Sequence, residues 1–232
     1  MEESAGGLEY RIESQPDYSF LTVKIPEGET IKVEAGAMAT MDTSIKMKTK
    51  MRGGFKRMLT GESMFLNEFS APKSAGEIAI APGCAGDIAH VHLDNNTIYL
   101  QSSAFVASTM GVETETQWQG MAKGFFSGES FFLIKCSGSG DLWFNTYGAM
   151  LDVDVTGGYV VDTGYIVAFT EGLEYTLDRV GGLKSFFLSG EGLVCRFTGE
   201  GRIWIQTRQP LPFVKWAEHF RPVKTENESS GS

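Results

Sequence analysis

The sequence predicts an all-β protein built from three tandem copies of one small β-sandwich. Two observations carry that reading. One motif occurs three times, as Gly-Gly-Phe-Lys-Arg-Met-Leu-Thr-Gly-Glu-Ser (53–63), Gly-Met-Ala-Lys-Gly-Phe-Phe-Ser-Gly-Glu-Ser (120–130) and Gly-Gly-Leu-Lys-Ser-Phe-Phe-Leu-Ser-Gly-Glu-Gly (181–192). The chain also holds 28 glycines in 232 residues, against a usual content near ~7%. Together they describe many turns between short strands, and self-similarity on this scale sets the fold.

In order along the chain, Leu8, Tyr10 and Ile12 alternate with polar residues as in a half-buried strand. Gln15-Pro16-Asp17 reads as a turn. The run Phe20–Ile25 aligns with Ile88–Leu93 and with Met150–Val155. A turn is expected after each run, at Pro26–Glu29, Asp94–Asn96 and Thr156–Gly158. Asn95-Asn96 and Gly157-Gly158 are the residue types that tolerate the positive φ of a tight hairpin. Ile31–Glu34, Thr97–Gln101 and Tyr159–Asp162 continue the β pattern, with Gly36 expected at a bulge or close approach.

After each Gly-Glu comes an apolar strand: Met64–Leu66, Phe131–Ile134 and Leu193–Cys195. The glycine-containing stretches Ser70–Gly76, Ser137–Gly140 and Thr198–Gly201 are expected to turn the chain into the closing strands 76–80, 140–144 and 201–205. The resulting units are 8–84, 85–147 and 148–210. Residues 211–232 form a C-terminal appendix. Within it, Pro212–Arg221 is expected to be a short helix packing Phe213, Trp216 and Phe220 back on the body, and the polar end is expected to be disordered.

A β unit of roughly 60 residues buries little surface alone, so the three are expected to share faces. A sheet left open at the last unit presents an edge that must be covered or closed. Head-to-tail contacts that close by rotation give rings, so a cyclic oligomer is favoured over a lone monomer.

Net charge is −9, which disfavours nucleic acid as a partner. Cys84, Cys136 and Cys195 are an odd, well-separated set, which fits a reducing compartment and is expected to belong to the core. Met1–Gly7 is acidic, with none of the apolar character of a signal peptide. No apolar run approaches the roughly 18 residues of a membrane span. The expected location is the cytoplasm. Contact with a membrane surface remains open; integral insertion does not.

The run from Gly53 to Phe69, with Glu34-Ala-Gly-Ala-Met-Ala39 before it, closely resembles the family of the "altered inheritance of mitochondria" protein, in the superfamily of the tryptophan RNA-binding attenuation protein. The resemblance runs from about Leu8 to Pro210. It implies a triplicated chain of short double-stranded β-helix sandwiches, three such chains closing into a homotrimeric ring of nine units. It implies no settled biochemical activity. Mitochondrial members are linked to inner-membrane organisation. The attenuation protein holds tryptophan between units and RNA on its rim.

Three sets of residues are candidates for function. The repeated motif supplies Lys56, Thr60 and Glu62, then Lys123, Ser127 and Glu129, then Lys184, Ser189 and Glu191. These either line unit interfaces or form a helical turn closed by a left-handed Gly. The second set is basic: Lys46, Lys48, Lys50 and Arg52 share one strand face, with Arg57 beyond. The equivalent strand is acidic in the other units, with Glu113 and Glu115, then Glu171, Glu174 and Asp178. This face either takes anionic lipid, RNA or an acidic partner, or it sets register at subunit contacts or guards a solvated edge. The third set is His90 and His92, which share one strand face, a weak metal candidate because zinc wants three or four ligands.

The sequence contains no nucleophile elbow, zincin motif, P-loop or dinucleotide fingerprint. No catalytic residue and no cofactor is expected. Trp143 and Trp204 occupy matching positions and read as packing residues; Trp118 stands outside that pattern as a candidate interface anchor. The expected function is a non-enzymatic, ring-forming scaffold with a protein partner left open. The alternative is a small-molecule or anionic-ligand binder at unit interfaces or on the basic face.

Overall fold

Apolar residues alternating at period two form antiparallel ladders, and their positions decide which faces are buried. The computed structural model describes residues 7–51, 65–118, 132–179 and 193–221. In the N-terminal stretch the strands are β1 (Tyr10–Glu13), β2 (Phe20–Ile25), β3 (Thr30–Glu34), β4 (Met38–Met41), β5 (Lys46–Met51), β6 (Phe65–Ser70) and β7 (Gly76–Ile80). In the middle stretch they are β8 (Ile88–Gln101), β9 (Phe105–Thr109), β10 (Val112–Trp118) and β11 (Phe132–Asn145). The last stretch has β12 (Met150–Asp162), β13 (Ile166–Thr170), β14 (Leu173–Arg179) and β15 (Leu193–Gln206), then helix α1 (Pro210–Glu218). None of the helices described is long and apolar enough to cross a membrane.

Two sheets result. One has four strands in the order β1-β2-β7-β4. The other has eleven, ordered β12-β15-β13-β8-β11-β9-β3-β6-β5, with β10 beside β11 and β14 beside β15. The predominantly β class expected from the sequence is therefore observed.

Four of the expected turns are bends inside long strands. β8 runs unbroken through Asp94–Asn96 and pairs along its length with β11, which runs through Ser137–Gly140. β12 and β15 do the same through Thr156–Gly158 and Thr198–Gly201. The permissive residues lie opposite one another, Gly138 facing Asn96 and Gly157 facing Gly199. Paired ribbons thus bend together, so one strand serves two parts of the sheet. Asn95 at φ 54° and Gly138 at φ 112° supply the bend in the middle stretch. Only the N-terminal stretch breaks into separate strands. There Pro26 ends β2, and Gly28 N–H donates to Ala71 O at 2.7 Å. Gly36, at φ 90° with no heavy atom within 4 Å of where a Cβ would stand, is a turn residue rather than a close approach.

Buried side chains gather in three clusters. The first holds Leu21, Val23, Ile25, Ile31, Val33 and Ile78, and takes in Trp143 from β11. The second holds Leu93, Leu100, Phe105 and Phe144, and takes in Trp204 from β15. The third is built on Phe169, Cys195, Phe197 and Ile203. Both tryptophans are core residues, as expected. Cys136 and Cys195 are buried, but Cys84 is exposed, in the loop before β8.

Helix α1 departs from expectation. It buries no residue, and Phe213, Trp216 and Phe220 stay exposed, in tilted contact with one another at 5.9 and 5.0 Å between ring centroids. Its aromatic contact with the body is Phe213 against Tyr147 at 6.0 Å. Nine residues with prolines in the first turn form a helix through local propensity, and among the described residues none of its side chains is buried against the body.

Candidate functional site

Strand alternation puts His90 and His92 on one face of β8, and antiparallel register puts Asp141 of β11 opposite His92 and Trp143 opposite His90. Both imidazoles converge on one oxygen. Asp141 Oδ1 lies 3.0 Å from His90 Nε2 and 2.8 Å from His92 Nδ1. Its other oxygen accepts the Leu8 backbone N–H at 2.8 Å, and its own N–H donates to Thr109 Oγ1 at 3.0 Å. Tyr10 stacks against His90 at 4.5 Å, and Trp143 sits 5.2 Å from that ring. The carboxylate is thus buried between the N-terminal segment and the histidines of β8. Burial by itself pushes its pKa up. The hydrogen bonds from His90, His92 and Leu8 outweigh that and hold it at about 2.

The two histidines therefore answer to a carboxylate on the neighbouring strand rather than to one from a distant unit. Among the described residues no three His, Cys, Asp or Glu side chains are arranged to hold a metal ion. Asp141 is the residue the sequence reading missed. Its one signal was its place in the aligned closing strands, opposite the His pair.

The same ladder position is charged elsewhere with the signs rearranged. Arg202 of β15 stands opposite Asp154 of β12, with Nε 2.8 Å from Asp154 and Nη1 3.7 Å from Asp152. Glu77 of β7 stands opposite Lys24 of β2, and it pairs with Arg11 at 3.7 Å. These two sets are exposed, so they contribute little. Only the middle one is buried.

Lys46, Lys48 and Lys50 lie exposed on β5, at one end of the larger sheet. Lys50 Nζ is 2.7 Å from Glu68 on β6. In the equivalent places Glu115 of β10 faces Lys135, and Asp178 of β14 takes Arg196 at 3.0 Å. Each edge strand is thus matched in charge by its neighbour, as cross-strand pairs favour. Arg52 and Arg57 lie outside the described residues. So do Lys56, Thr60, Glu62, Lys123, Ser127, Glu129, Lys184, Ser189 and Glu191, which fall between strands that pair with each other: β5 with β6, β10 with β11, β14 with β15. The side chain of Trp118 is outside them as well.

Two further polar groups, one buried and one half-buried, escaped the sequence reading. Lys32 of β3 is buried, and its Nζ donates to the carbonyls of Val112 and Met110 in the β9–β10 region. Glu34, at the end of β3, has its pKa pushed up by burial to about 6.

Comparison with known proteins agrees with the fold. An uncharacterized protein of Streptococcus pyogenes serotype M6 is 23% identical over 231 residues, covering 94% of this chain and 93% of that protein. The crystal structure of a Streptococcus pyogenes protein matches with a TM-score of 0.79 at 22% identity, across 92% of this chain and 100% of that one. At that identity the likeness speaks for the fold alone. A family model described as mitochondrial biogenesis AIM24 matches residues 10–208. Since that match takes in most of the chain, the protein belongs to the mitochondrial biogenesis AIM24 family.

Proposed function

We propose that this chain is a non-enzymatic scaffold whose three tandem β-sandwich units close, in three copies, into a ring of the attenuation-protein type. One observation carries the reading: the middle and last stretches each lend the stretch before them both a strand and a core residue. β9 pairs with β3 of the stretch before it, and β13 pairs with β8 of the stretch before that one. Trp143 enters the first core and Trp204 the second. The supporting detail is a shared irregularity. β4, β9 and β13 each pair with a closing strand through a register shift, after Met38, after Phe105 and after Ile166. A bulge repeated at one ladder position in three stretches is expected of copies of one unit.

A head-to-tail arrangement leaves a giving end and a receiving end, and such contacts form rings where the rotation closes. A ring of this kind offers repeated surfaces to a partner protein. Electron microscopy of the purified protein tests it: closed rings with nine lobes are expected, and isolated particles of one chain each would contradict it. A thermal-shift screen with amino acids and nucleotides separates the scaffold from a ring that holds a small ligand between units. No reproducible rise in melting temperature is expected for the scaffold.

A further inference from the structure

At both junctions inside the chain, a short strand is paired on two sides. β9 has β11 on one side and β3 on the other, and β13 has β15 and β8. β4 holds the same position in the first stretch, since Thr40 faces Ala79 as Ala107 faces Trp143 and Ala168 faces Trp204. Among the described residues, β4 pairs with β7 alone. The receiving strand has an equivalent as well. Val33 faces Asn67, Leu100 faces Ile134 and Val161 faces Cys195, so the C-terminal half of β12 matches β3 and the end of β8. Among the described residues, that half of β12 pairs with β15 alone.

Exposure marks the same two edges. Ser108 and Phe169, which face the junctions from β9 and β13, are fully buried, whereas their counterpart Met41 is 40% exposed. On the receiving side Ile31 and Ile98 are buried, whereas Tyr159 is 38% exposed. Lys32 is 4% exposed, and its counterpart Val160 is 49% exposed. Three large apolar residues thus stand in solvent at positions that the internal junctions cover. A free edge of this kind is a template for pairing.

From this we infer that copies of the chain join through β4 of one and the C-terminal half of β12 of the next. The register follows from the internal junctions. Ala168 faces Leu100 and Ala107 faces Val33, so Thr40 faces Val161 of the next copy. Met41 then faces Val160, and Asp42 faces Tyr159. The joint sheet runs β1-β2-β7-β4 and on into the next copy's β12 and β15. The inference rests on the ring reading, and it adds which strands meet and in what register.

Cross-linking tests it on the full-length chain, with Cys84→Ser to remove the exposed thiol. Paired residues on antiparallel strands come within disulfide reach, and a shift of two residues takes them out of it. Under mild oxidation, Thr40→Cys with Val161→Cys, or Met41→Cys with Val160→Cys, is expected to give covalent multimers on a non-reducing gel. The shifted pair Thr40→Cys with Tyr159→Cys is expected to give at least about tenfold less. Light scattering on the same samples separates the two claims. An oligomer that neither in-register pair cross-links would overturn the inference and leave the ring standing. A monomer in all samples would overturn both.

Discussion

His92 and Asp141 face each other across the ladder of β8 and β11, 2.8 Å apart, at the position where Asp154 and Arg202 face each other between β12 and β15. The middle pair alone is closed over, by Leu8 and Tyr10. The buried carboxylate ties the N-terminal segment to the middle stretch. Its folded pKa of about 2 lies below the unfolded value near ~4. Its contribution is therefore fully present above pH ~4 and is lost as the pH falls through about 2. Asp141→Asn is expected to lower unfolding free energy at pH 7 by about 1–3 kcal/mol, with the difference from the parent shrinking toward pH 2. Urea titrations at several pH values measure both.

Glu34 carries the opposite sign. Burial raises its folded pKa to about 6, above the unfolded value near ~4.3. The protonated form suits the fold, so stability is lost as pH rises from ~4.3 through about 6. Glu34→Gln is expected to gain about 1–2 kcal/mol at pH 8 and nothing at pH 4. Urea unfolding of the two proteins at those two pH values checks it.

The ribbon bends make a graded test. Gly138 and Gly199 have φ of 112° and 99°, and a Cβ at either would press on a backbone carbonyl, that of Gly111 or Gly172. Gly157 has φ 121° but open space around it. Alanine at Gly157 is expected to cost about 1–3 kcal/mol from backbone strain alone. Alanine at Gly138 or Gly199 is expected to cost at least about 1 kcal/mol more, because the facing backbone must also move. Denaturant midpoints of the three variants rank them.

Helix α1 buries none of its residues, so a chain ending at Gln209 is expected to keep its fold. Its melting temperature should fall by no more than about 2 °C, since little apolar area is removed from the core. Differential scanning fluorimetry reads this directly. A large drop would mean that the aromatic row of Phe213, Trp216 and Phe220 is covered in the native assembly.

Much of the strand order was legible because each strand carries its own alternation. Phe20–Ile25 is a strand as expected, and Trp143 and Trp204 fill matching core positions. The bends at Asn95 and Gly157 were not legible. Residues that permit a hairpin also permit a bend, and only the partner strand decides between them. The partner of His90 and His92 was hidden for a related reason. Asp141 lies 49 residues beyond His92, and only the ladder brings them together. A helix was expected over Pro212–Arg221 and runs over Pro210–Glu218, but its amphipathic face said nothing about whether a receiving surface exists.

Native mass spectrometry tests the central claim most directly, because it counts the chains in the particle. A species of three times the 25.4 kDa chain mass is expected at micromolar concentration, stable on dilution as a closed ring should be. A particle of a single chain at that concentration would contradict the account.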